Sequence, residues 1–252
     1  MKTLFIGQNA VYLAAVNSTN SYATEMLRQI SPVEGTIIYT FEQTSGRGQR
    51  GNTWLSEPSK NVAFSLILNP SFLRADEQFL LTKITSLAVA DLMAENLKKH
   101  GSAADVKVKW PNDIYIDGAK AGGILIENTI RDHHIQHSVI GIGLNINQDE
   151  FGTLNATSLK KITNNEFVLM EIVERLCEFI EARYLQLKAN KREQLHSAYL
   201  ERLYQLNEWK NYNTNGVAVE GKIIHVSDAG KLLVELRSGE VKEFDLKEII
   251  FI

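Results

Sequence analysis

The sequence predicts an α+β protein in which a mixed, largely antiparallel sheet is flanked by helices and followed by a small β-barrel. Three observations lead there. Short runs rich in β-branched and aromatic residues, such as TIIYTFEQ (36–43) and NVAFSLIL (61–68), are bounded by turn residues. Two much longer segments, 76–100 and 165–204, carry helical rather than alternating patterns. After the polar stretch NYNTNG (211–216) the chain holds only short strands separated by SDAG and SG turns.

Taken in order, LFIGQNAVYLAAV (4–16) alternates briefly and suggests short strands. Ser18, Thr19 and Asn20 offer N-cap oxygens, and Tyr22, Met26 and Ile30 follow at a spacing of four, so a short amphipathic helix is expected, stopped near Pro32. Strands at 36–43 and 61–68 flank a glycine-rich loop. In 76–100, Phe79, Leu80, Ile84, Leu87, Ala88 and Leu92 or Met93 give an apolar side; Lys98 and Lys99 favour the helix C-terminus, and Gly101 ends it. Segment 106–128 reads as a β-hairpin turning at Asp117-Gly118. A further strand is expected at 137–147. The helical segment 165–204 should break near Ala189-Asn190, and 211–216 reads as a linker between a large domain, 1–210, and a small one, 211–252. About forty residues of short strands need the larger domain for support.

Composition narrows the function class. The 252 residues are 44% hydrophobic and 23% charged, with a net charge of −3, which gives no electrostatic reason to expect a nucleic-acid partner. No apolar run approaches the roughly 20 residues of a membrane span, and the N-terminus is too polar for a signal peptide, so a cytoplasmic protein is expected. The single Cys177 excludes an internal disulfide and sits among Val173, Leu176 and Ile180, as a core residue would. His133, His134 and His137 lack a carboxylate pair and are not read as metal ligands.

The loop GRGQRG (46–51) has the spacing G-x-G-x-x-G. A dinucleotide site also needs a helix opening at the glycines, and NTWLSEP has no helical period, so that reading fails. What remains is a loop with Arg47 and Arg50 and no acid, suited to phosphate or carboxylate, or else a solvated turn. In KWPNDIYIDGAKAGG, Pro111 holds Trp110 extended, Asn112 and Asp113 follow, and Lys120 lies beside Gly122-Gly123. GIGLNIN supplies side-chain-free positions at Gly141 and Gly143 and amides at Asn145 and Asn147. Alone, each also fits a hairpin lysine, close strand packing or a helix cap.

In this order the motifs STN, GRGxxGxxW, KWPNDI with its following lysine, and GIGLNxN resemble the biotin–protein ligases. The resemblance spans 18–147 and extends less specifically over the C-terminus. It implies the class II synthetase-like fold of that family with an SH3-like C-terminal barrel. It also implies a two-step reaction in which biotin and ATP form biotinyl-5′-AMP, and the biotinyl group then passes to a lysine of a biotin carboxyl carrier protein. Acetyl-CoA carboxylase or a related carboxylase would own that carrier, and Mg²⁺ would screen the phosphates.

By the same resemblance, Arg47 and Lys120 are the cations that let two anions meet, and Asp113 orients or deprotonates the incoming lysine. Ser18, Thr19, Asn20, Gln43, Arg47, Gly48, Gln49, Lys120 and Gly122 would surround biotin. Arg47, Arg50, Trp54, Lys109, Asn112, Asp113 and Asn145 would bind ATP or the adenylate, with Trp54 and Trp110 as apolar walls. No metal ligands are assigned. Many relatives carry arginine where Gln49 stands, which implies some leakage of the adenylate here. Relatives that are also repressors carry a winged helix before the site; with 17 residues ahead of Ser18, a ligase alone is expected. The rival readings are a lipoate–protein ligase and a non-catalytic biotin sensor. Exposed strand edges also leave a homodimer open.

Overall fold

The structure, a computed structural model, describes residues 2–214 and 216–252. The chain begins with β1 (Ala10–Tyr12), α1 (Thr19–Gln29) and β2 (Ile37–Thr40). The glycine loop forms a miniature ladder, β3 (Gly46–Arg47) against β4 (Thr53–Trp54), around one 3-10 turn. Then come β5 (Val62–Leu68), α2 (Phe79–Lys99), β6 (Val106–Lys109), β7 (Asp113–Ile116), β8 (Ala119–Arg131) and β9 (His134–Leu144). Helices α3 (Leu159–Thr163), α4 (Leu169–Lys188) and α5 (Arg192–Glu201) precede β10 (Trp209–Thr214), β11 (Val217–Val226), β12 (Leu232–Leu236), β13 (Val241–Phe244) and β14 (Ile250–Phe251).

Seven strands form one sheet in the order β1-β2-β5-β9-β8-β7-β6. Only β1 and β2 run parallel; the other pairs are antiparallel, so the sheet is mixed and largely antiparallel as expected. Strand alternation gives its two faces different jobs. On one face the register aligns Ile37 with Leu66 and Ile140, and Tyr39 with Phe64 and Ile142. These side chains join the main core with α2 and α4, each fully buried one contributing roughly 1.5–3 kcal/mol. Because α2 packs on both the sheet and α4, it is buried on most sides rather than along one stripe.

The opposite face divides in two. Over Ile38, Ile67 and Val139 lies α1, which buries Ala23 among them, with Met26 and Leu27 packed alongside. Farther along, the residues on that face are Ala63, Ser65, Gly141, Gly143 and Gly123, aligned across β5, β9 and β8. Small residues here leave a shelf that α1 reaches only with its first turn, through Asn20.

Three expectations need correction. Of 4–16, only Ala10–Tyr12 is a strand. The backbone N–H groups of Leu4, Phe5 and Ile6 instead donate to the Glu181 carboxylate on α4, at 2.6, 2.8 and 3.0 Å. The helical segment 165–204 is α4 and α5, parted near Ala189-Asn190 as expected, but residues 202–204 leave the helix and Leu203 bridges to Val108. The supposed linker is mostly strand: Trp209–Thr214 pairs with β11 and anchors through the buried Tyr212. Its backbone is satisfied by pairing with β11, which composition alone does not reveal.

The C-terminal five strands form an antiparallel sheet, order β13-β12-β11-β10-β14. It leans on the larger unit: Trp110 Nε1 donates to the Gly230 carbonyl at 2.9 Å, and Gly230 lies against the Phe79 ring.

Candidate active site

A cavity of about 350 Å³ opens over the small-residue shelf. Its floor requires glycine at two points. A Cβ on Gly141 would collide with the Asn20 amide, and one on Gly143 would collide with the Trp54 indole. The strand that read as close packing is thus shaped to admit a side chain from α1 and an aromatic ring from the glycine loop.

At one end sits the first turn of α1. Ser18 caps it, its Oγ accepting from the Ser21 N–H, and Thr19 N–H donates to Gln43 Oε1 at 2.9 Å. Ser65 Oγ lies 2.8 Å from Thr19 Oγ1 and donates to Asn20 Oδ1 at 2.6 Å. Asn20 Nδ2 donates to the Leu125 carbonyl at 3.2 Å and to Glu127 Oε2 at 2.9 Å. Both polar atoms of the Asn20 side chain therefore have protein partners, and the residue is 4% exposed.

Arg47 stands at this same end, through Glu127, and Lys109 and Lys120 stand farther along. Lys120 Nζ is 2.7 Å from Asp113 Oδ1 and 5.7 Å from the centre of the Trp54 ring. Arg47 Nη2 donates to Glu127 Oε2 at 2.6 Å. Lys109 Nζ donates to the Tyr115 hydroxyl at 3.0 Å and lies 4.7 Å over Phe251 of the C-terminal sheet. Burial pulls the Lys109 ammonium below its ordinary range, partly offset by the nearby Asp113 charge. The Trp54 indole N–H is buried without a hydrogen-bond partner. Asn112 holds the turn by donating from Nδ2 to the Ile124 carbonyl.

The fold brings most of the sequence-predicted residues together. Ser18, Thr19, Asn20, Gln43, Arg47, Gly48, Gln49, Trp54, Lys109, Asn112, Asp113 and Lys120 all line this cavity. Two do not. Gly122 faces the core, toward Leu144 and Ile114, and the alternation of β8 puts Gly123 on the cavity side instead. Asn145 lies outside the lining, donating to the Lys120 and Thr157 carbonyls at 3.3 and 3.0 Å, so its amide braces the strand that carries Lys120. The side chain of Arg50 lies outside the described residues. Glu127 was missed, although its place two residues beyond Leu125 on an alternating strand put it on the cavity face. Lys247 and Phe251 also border the cavity, and nothing local in the sequence marked them.

Comparison with known proteins identifies the family. The profile of the Biotin/lipoate A/B protein ligase family matches residues 12–145. The bifunctional ligase/repressor BirA of Bacillus subtilis (strain 168) is 29% identical over 246 residues, covering 95% of this chain and 73% of that protein. The biotin–[acetyl-CoA-carboxylase] ligase of Paracoccus denitrificans is 28% identical over 235 residues, 90% of this chain and 94% of its own length. A solved structure of the biotin protein ligase from Aquifex aeolicus in complex with biotin and ATP superposes with a TM-score of 0.78 at 25% identity, covering 97% of this chain and 99% of that one. With its family profile matching more than half of its 252 residues, the chain belongs to the biotin/lipoate A/B protein ligase family.

Proposed function

We propose that this protein is an ATP-dependent biotin–[carrier protein] ligase. It joins biotin to ATP, giving biotinyl-5′-AMP and pyrophosphate, and passes the biotinyl group to a lysine of a biotin carboxyl carrier protein. The observation that carries this reading is that Arg47, Lys120 and the Ser18-Thr19-Gln43 polar cluster all line one cavity. Named biotin ligases among the relatives support it over lipoate ligation and over a sensor without chemistry.

The cavity suits the chemistry. A ureido ring needs each donor and acceptor paired when buried. The Ser18 and Thr19 hydroxyls are placed for this, as is the Gln43 amide nitrogen, since Gln43 Oε1 already accepts from Thr19. Asn20, saturated by protein partners, acts behind them as a brace. The carboxylate of biotin attacks the α-phosphorus of ATP and pyrophosphate leaves. Lys120 and Arg47 offset the mutual repulsion of the two anions, and the fixed positions of these cations avoid the reorganisation that water would need. Lys109, walled by Tyr115 and Phe251, adds a third cation on the nucleotide side.

In the second step the carrier amine attacks the acyl carbon, AMP leaves, and Asp113 takes the amine proton. Mg²⁺ fits the same site without a dedicated cage, because it binds through one or two carboxylates plus substrate phosphates. Asp113 is the residue that would hold it, where it would screen phosphate charge. In this reading residues 1–208 form the activating domain, and the C-terminal sheet from Trp209 onward closes its nucleotide side through Phe251. No described helix is long and apolar enough to cross a membrane, and a cytoplasmic location is part of the proposal.

The test is incubation with labelled biotin, MgATP and a carrier domain. Label on the carrier lysine is expected, with ATP–pyrophosphate exchange dependent on biotin and not on lipoate. Exchange driven by lipoate alone would overturn the reading.

A further inference from the structure

We propose that Glu127 is a positioning residue that holds Arg47 over the cavity before substrates arrive and ties the glycine loop to the ureido end of the site. Its carboxylate stands at a junction. One oxygen, Oε2, accepts from Arg47 Nη2 at 2.6 Å and from Asn20 Nδ2 at 2.9 Å. Asn20 is buried and fixed by Ser65 and the Leu125 carbonyl, so the anchor on that side is rigid. Ser65 in turn touches Thr19, and Thr19 N–H is bonded to Gln43. A continuous polar chain thus runs from the loop guanidinium to the groups that line the ureido end.

The loop needs such an anchor. Its own ladder has only two register pairs, Gly46 with Trp54 and Arg47 with Thr53. Gly48 and Gly51 add backbone freedom between them. An exposed ion pair by itself contributes little, and this one is partly exposed, at 44% and 38% of the two side chains. What distinguishes it is the buried amide on the same oxygen, which holds the carboxylate in one place so that the guanidinium has a fixed partner. When a phosphate enters, Arg47 exchanges one anion for another, and Glu127 keeps its bond to Asn20. The loop is therefore presented already lowered over the shelf, and biotin meets a site whose ordering cost has been met in advance.

The proposal rests on the ligase reading for what displaces Glu127, yet its main test needs no turnover. Amide hydrogen exchange over residues 44–56 is measured in the ligand-free full chain for the wild type, Glu127→Gln, Arg47→Gln and the double variant. Each single variant should speed exchange in this segment by about fivefold, the scale of one partly exposed ion pair, and the double variant should add nothing. Glu127→Asp, which retains the charge, should recover part of the protection. With a non-hydrolysable biotinyl-adenylate analogue bound, the wild type and Glu127→Gln should coincide, because the phosphate then holds Arg47. In turnover, Glu127→Gln should raise KM for biotin about fivefold with much less effect on kcat.

Unchanged loop exchange in Glu127→Gln, or single effects that multiply in the double variant, would overturn the proposal. Should Glu127→Gln fail to fold, Arg47→Gln on its exposed loop decides alone: no loosening in that variant refutes the anchor. A wild type that forms no adenylate would refute the ligase reading, while the exchange comparison would still decide on Glu127.

Discussion

Lys120 lies beside an acid, Asp113, and over an aromatic face, Trp54. Its ammonium is therefore held in place rather than sampling solvent, which is the condition under which a cation stabilises developing charge strongly. Lys120→Ala should lower the rate of adenylate formation by about 10²–10³-fold while largely sparing biotin binding. Parallel measurement of pyrophosphate exchange and of biotin affinity by calorimetry checks this; turnover that survives the change would remove Lys120 from the mechanism. Gln49 lines the same cavity without a charge. Gln49→Arg should slow release of the adenylate about fivefold by adding one phosphate contact, read as the dissociation rate of labelled biotinyl-5′-AMP. Cys177, fully buried with burial pushing its thiol up to about 12, stays out of this chemistry, as its apolar neighbours in the sequence implied.

Among the elements, strand β9 contributes backbone shape rather than side-chain chemistry. Gly143 admits the Trp54 ring, and any β-carbon there forces the indole off the shelf. Gly143→Val suits the strand conformation but overpacks the cavity floor, at about 1–3 kcal/mol. Biotin affinity should fall about tenfold or more while far-UV circular dichroism stays unchanged, and wild-type affinity in that variant would refute the role given to the shelf. The helix cap on α1, the long helix α2 and the break between α4 and α5 were legible in the sequence because caps, apolar periodicity and a turn at Asn190 are local features. Strand β10 was not. Its polar composition resembles a linker, and only the pairing with β11 and the burial of Tyr212 make it a strand. Gly122 and Gly123 show the same limit at finer grain: adjacent glycines are indistinguishable in sequence, and the register Asp113–Gly123 decides which faces the ligand.

For the molecule as a whole, the junction between the helical layer and the C-terminal sheet carries a buried cluster outside the proposed site. Lys83 on α2 has a fully buried side chain whose Nζ donates to His196 Nδ1 at 2.7 Å. The His225 ring lies 4.7 Å from that of His196, and Asp228 is 3.8 Å from Lys83. Burial, then the Lys83 charge and His225, pull the His196 imidazole below its ordinary value of 6.5, with Asp228 opposing. A histidine depressed in the folded state binds fewer protons there than in the unfolded chain. Its contribution to stability is complete above pH 6.5 and falls as the pH drops through that value. Thermal midpoints measured from pH 7.5 down to about 5 should therefore fall less steeply for His196→Gln than for the wild type. Equal slopes would show that this junction does not respond to pH.

By itself the sequence determined the fold class, the order of the elements and most of the residues that meet in the cavity. The fold features are written locally, in caps and periodicities, and the site residues in short motifs that resemble the biotin–protein ligases. Tertiary structure alone decided the partners: Arg47 with Glu127, Asn20 with Ser65, Phe251 over Lys109, and Lys83 against His196. Each joins segments distant along the chain, and contacts of that kind depend on strand register and on how the layers stack, which no local pattern of residues encodes.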